Sequence, residues 1–117
     1  MLTAPRKLGA KARAAVEAVE AGSGEAWVPA AVVAEIVILR GLGRVRIGIP
    51  ELKATMAATP NFRFSPLDLA QLDEFAALAS IHDPFDRLVV SAARSLDARL
   101  LTRDQTIADS GLVETVW

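Results

Sequence analysis

The chain has 117 residues, enough for one domain with one core, and 52% of them are hydrophobic. It has no cysteine and a single histidine, His82, which excludes disulfides, thiolate metal sites and histidine-rich zinc sites. A net charge of -1 excludes a protein that coats nucleic acid through bulk charge, though not a local basic patch beside an acidic pocket.

Taken in order, Leu8 to Glu20 reads as a helix, with Leu8, Ala12, Ala15, Val16 and Val19 at helical spacing and Gly22 to Gly24 as its stop. A short strand at 26–28 follows, and Pro29 opens a helix over Ala30 to Arg40 that Gly41 and Gly43 end. Pro50 opens another helix to about Ala58. The alternation of Phe62 and Phe64 predicts a strand. Ser65 reads as an N-cap with Pro66 at the first helical position, before a helix with a broad apolar face from Leu67 to Leu78. Asp83 or Ser80 caps a helix from about Pro84 to Leu96. Residues 99–102 and 113–117 complete the chain as strands.

Short strands alternating with helices predict an α/β sandwich with a mostly parallel sheet. No apolar run approaches the roughly 20 residues needed to span a bilayer, and the start of the chain lacks an apolar signal core. The expectation is a soluble cytoplasmic protein of a single domain, residues 1–117. It is an unusual member of its class, because the chain starts with a loop and a helix where a central apolar strand is usual.

Three places put carboxylates where packing alone would not. Glu35 interrupts the apolar run Val28 to Leu39, and a charge buried there would have to be paired, protonated or bound to a metal. Asp83 and Asp86 stand three apart at a helix start. Asp104 follows a strand, and ligands of open α/β sheets sit beyond the carboxyl ends of strands. Each also has a plainer role. Asp83 and Asp104 suit helix caps, and Glu35 could face water beside Arg40 or Lys53. Taken together, they predict carboxylates converging on one pocket. Their repulsion would be relieved by a divalent cation with oxygen ligands, magnesium or manganese, and the chemistry implied is phosphodiester hydrolysis. His82 reads as a surface or capping residue.

Residues 82–104, with Asp-Pro-Phe-Asp-Arg, an apolar helix with small residues and a strand ending in Thr-x-Asp, resemble the C-terminal half of PIN-domain ribonucleases, in particular the VapC-type toxins of toxin–antitoxin pairs. The helix carrying Glu35 resembles the family's earlier helix with one inward glutamate, and the closing residues 113–117 its last strand. The resemblance implies a PIN-like three-layer sandwich and RNA endonuclease activity with magnesium or manganese. It places Glu35, Asp86 and Asp104 on the metal site and in catalysis, Asp83 at the helix start in support, and Thr102 as a hydroxyl that bonds a carboxylate or a phosphate. It further implies a cognate antitoxin and a homodimer. The chain departs from the family pattern at its start. No acid precedes Glu17, so the first strand and its aspartate are missing, which implies either a start upstream of Met1 or a degenerate member. A catalytically inactive PIN-like module that engages an antitoxin is the alternative. A third reading, a phosphoryl-receiving α/β domain, would need an early aspartate, and the chain has none there.

Arg87 and Arg94, seven apart on one helix face, are candidates for holding RNA phosphates. Arg40, Arg44 and Arg46 form a second basic group, and Arg6, Lys7, Lys11 and Arg13 a third. For any one of these arginines, a solvated surface is the plainer reading. Trp27 and Trp117 read as core or interface residues.

Overall fold

A computed structural model describes residues 8–117; the early basic pair Arg6 and Lys7 lies outside them. The elements in chain order are α1 (Ala10–Glu20), β1 (Ala26–Pro29), α2 (Ala30–Gly41), α3 (Ile49–Ala58), β2 (Phe62–Ser65), α4 (Leu69–Ala77), α5 (Pro84–Ser95), β3 (Leu100–Leu101), α6 (Gln105–Asp109) and β4 (Thr115–Val116). All strand pairing among them is parallel, as helical crossovers require, and the fold is α/β. The four strands form two separate pairs, however: β1 with β2, in register Ala26 to Phe62, and β3 with β4, in register Leu100 to Thr115. The expected single sheet is therefore split.

Two apolar clusters hold the halves. Val19, Val28, Leu52 and Phe62 join α1, β1, α3 and β2; Leu78, Val90 and Ile107 join the α4–α5 region to α6. Helices α4 and α5 pack closely together, and α5 also lies against α2. The middle of α5 is buried over Val90, Ser91, Ala92 and Ala93, whose small side chains permit this approach. The Ser91 hydroxyl donates to the Arg87 carbonyl one turn back, so no buried donor is lost.

The end of the chain docks on its start. The Trp117 carbonyl accepts from the Ala12 amide at 3.2 Å, and a Cβ at Gly9 would lie 2.5 Å from that same carbonyl oxygen. Both partners there are backbone and cannot step aside. Gly9→Ala is therefore expected to cost about 1–3 kcal/mol by overpacking, read as a fall in the urea midpoint at unchanged slope. An unaltered midpoint would mean that α1 does not dock on Trp117.

Two expectations are corrected. Ser65 is the last residue of β2, not a cap, and its buried hydroxyl accepts from the Gln71 side chain at 2.8 Å. Helix α4 starts later, capped by Asp68, whose carboxylate accepts from the Gln71 amide. Its expected apolar face is largely exposed, with Leu67, Leu69 and Leu72 at 46%, 78% and 40% exposure, while Gln71 is buried. Gln71 can occupy the core because its amide donates to both Ser65 and the Pro66 carbonyl. Within β2, Phe62 is buried and Phe64 exposed.

Candidate active site

Two helix starts and one strand end build the site. Asp83 is the N-cap of α5, with extended backbone, and its carboxylate accepts from the Asp86 amide at 2.9 Å. Pro84 follows in the first turn, where its missing N–H is no loss. Asp86 thus stands in the first turn of α5, half-buried. Asp104 caps α6, accepting from the Ile107 amide at 3.0 Å, just beyond the carboxyl end of β3. Its own amide donates to the Thr102 hydroxyl at 3.1 Å, which ties the strand end to the cap. The capping roles of Asp83 and Asp104 are present, and each cap uses one carboxylate oxygen.

The Asp86 carboxyl is pushed above the ordinary carboxylate range, first by burial, then by the charges of Asp83 and Asp104. The three aspartates therefore share one field. Glu35 is half-buried on α2, which packs against α5, and among the described residues it forms no hydrogen bond or ion pair. No group of three or more His, Asp or Glu residues comes together as a metal cluster among the described residues. A divalent cation would meet Asp86 and Asp104, whose repulsion it would relieve. Two carboxylates fit a hard cation that keeps several of its waters, not one caged wholly by protein.

Arg87 and Arg94 have partners within the chain. The Arg87 Nε donates to the Phe75 carbonyl at 2.7 Å, and its guanidinium lies 4.0 Å from the centre of the Phe75 ring. Arg94 pairs with Glu74 at 2.8 Å and donates to the Leu112 carbonyl at 2.6 Å. These contacts fasten α5 to α4 and to the segment before β4. The sequence carries no local signal for them, since the partners stand 12 to 20 positions away. Arg40 likewise bonds the Arg46 carbonyl and faces Glu51.

The raised Asp86 pKa sets a pH dependence. Between the ordinary carboxylate range and the raised value, the folded state binds more protons than the unfolded state. Stability therefore falls as pH rises through that window and stays lower above it. Asp86 keeps solvent access, so screening keeps the loss small. Asp86→Asn without metal should be slightly more stable than wild type near neutrality and gain nothing at acid pH. Urea midpoints at the two pH values check this.

The PIN domain family model matches residues 2–111. No curated protein matches the chain.

Proposed function

Because the chain belongs to the PIN domain family, we propose that it is a divalent-metal-dependent endoribonuclease and the toxin of a toxin–antitoxin pair. Members of the family are in general nucleases and typically use divalent metal ions, which supports nuclease chemistry here in its coarse form. The observation that supports the finer reading is that Asp104, beyond the carboxyl end of β3, acts electrostatically on the half-buried Asp86 at the start of α5, together with Asp83. In this reading Asp86 and Asp104 hold the ion, magnesium or manganese, and Glu35 approaches from α2. The bound ion would polarise a phosphate and lower the pKa of a water. Asp83 fixes the turn that presents Asp86, and the Thr102 hydroxyl fixes the loop that presents Asp104.

The partner part of the reading, an antitoxin and a second subunit, is supported by exposed apolar side chains: Val37, Ile38 and Leu42 around the end of α2, and Leu67, Leu69 and Leu72 around α4. No helix among the described residues is long and apolar enough to cross a membrane.

The test is cleavage of a structured RNA with manganese, with magnesium and with chelator. Internal cuts that need metal are expected. A second reading, an inactive PIN fold that binds an antitoxin, is favoured by the lack of a three-acid cluster among the described residues. It predicts no cleavage under any metal and an unimpaired complex with the antitoxin.

A further inference from the structure

The two acids assigned to the ion stand on different elements, Asp86 in the first turn of α5 and Asp104 at the cap of α6. Their joint use requires that both helix starts be fixed to a common frame, and the end of α4 supplies it. Leu78, the residue after α4, packs with Val90 of α5 and Ile107 of α6 in one apolar cluster. The Ile107 amide donates to the Asp104 carboxylate, so this packing refers Asp104 to the end of α4. Val90 lies a turn beyond Asp86 and fixes the body of α5, not its start.

Arg87 makes the corresponding tie for Asp86. Its amide donates to the Asp83 carbonyl at 2.9 Å, within the turn that Asp83 caps. Its side chain reaches the other way, with Nε bonded to the Phe75 carbonyl at 2.7 Å and the guanidinium over the Phe75 ring. That carbonyl belongs to the last turn of α4, where helix carbonyls carry partial negative charge and a cation is favoured. The loop between the two helices is tied at its α4 side, where the Ile81 amide donates to the Leu78 carbonyl at 3.0 Å. Among the described residues Arg87 pairs with no carboxylate, so its charge is directed at α4 and not at Asp86.

We propose that Arg87 is a positioning residue that clamps the first turn of α5 to the end of α4 and thereby holds the Asp86 carboxylate where it can share an ion with Asp104. The inference rests on the reading of Asp86 and Asp104 as metal ligands. It assigns Arg87 to the placement of a carboxylate and not to RNA phosphates. Arg94 is the natural contrast. Two turns further along α5, it ties the same helix to Glu74 of α4 and to the Leu112 carbonyl, away from both acids.

Arg87→Ala and Arg94→Ala in the full chain separate a local clamp from general stability. Both should lose stability in urea melts and remain folded without denaturant. Hydrogen exchange of the Asp86 amide, which donates to the Asp83 carboxylate, is read without metal. It should be about tenfold faster in Arg87→Ala, because a bond from a charged donor no longer holds that turn closed, and unchanged in Arg94→Ala. Calorimetric titration with manganese should show binding weakened about tenfold in Arg87→Ala and unaltered in Arg94→Ala. Where Arg87→Ala fails to fold, Arg87→Lys, which keeps the charge and loses the planar fork, carries the same test. Equal changes in the two variants, or none in Arg87→Ala, would reduce Arg87 to one more structural contact and overturn the proposal. So would faster exchange with an unaltered manganese affinity. A wild-type chain that binds no manganese, with faster exchange in Arg87→Ala alone, would support the clamp and remove the ion from this site instead.

Discussion

Saturating manganese is expected to raise the melting temperature of the wild-type chain and to leave that of Asp86→Asn unmoved. Burial first, and then the charges of Asp83 and Asp104, hold Asp86 above its ordinary carboxylate range in the folded state. A cation that binds only the folded state lowers its free energy by about 2.7 kcal/mol at a concentration 100 times its dissociation constant. On the proposed assignment Asp86→Asn removes a metal ligand, while an Asn in the first turn leaves the Asp83 cap intact. The same substitution should lower RNA cleavage by about a hundredfold or more, since a metal's share of transition-state stabilisation is several kcal/mol. Asp83→Ala gives the contrast. It removes a cap at about 1 kcal/mol of stability and should lower cleavage far less. Equal metal shifts in wild type and Asp86→Asn would move the ion elsewhere and end the assignment of this site.

Phe62→Ala is expected to be the most damaging single change in the core. Phe62 is 5% exposed and sits among Val19, Val28 and Leu52, so its removal takes packing from α1, β1 and α3 at once. Truncation of a buried phenylalanine costs about 3–5 kcal/mol, which in a domain of this size lowers the melting temperature by roughly 10 °C or more. Phe64→Ala, two residues on at a position 45% exposed, should cost much less. Thermal and urea melts of the two variants separate them. Similar losses would mean that Phe64, on the same face of β2 as Phe62, is covered as well.

That pair of phenylalanines also marks how far the sequence could be read. Alternation located β2 correctly, because a period of two is a local property of the backbone. It could not say that Phe64 would be left outside, because that depends on what covers the strand. Helix α5 and its cap were legible for the same local reason: an aspartate, a proline and an apolar run carry the signal in adjacent positions. Gln71 and Ser65 were not legible, since each is acceptable in the core only because the other is there. The positions of Arg87 and Arg94 on α5 could be read, but not their partners on other elements. Of the candidate site, the aspartates at helix starts were visible one by one. That Asp83 and Asp104 both act on Asp86 is a property of the folded chain. Glu35 was conspicuous because its neighbours are apolar, yet several of those neighbours, Val37 and Ile38 among them, face outward. The run is thus a half-covered helix and not a core.

The strand pairing also bears on how the chain reaches its native state. Every β contact is non-local: β1 must wait for β2 across two whole helices, and β3 meets β4 only after α6. Such closures lose entropy before any ladder forms, so folding should be slow beside a helical bundle of equal length. While they wait, apolar strands with bare edges are available to neighbouring molecules, and refolding yield should fall steeply with protein concentration.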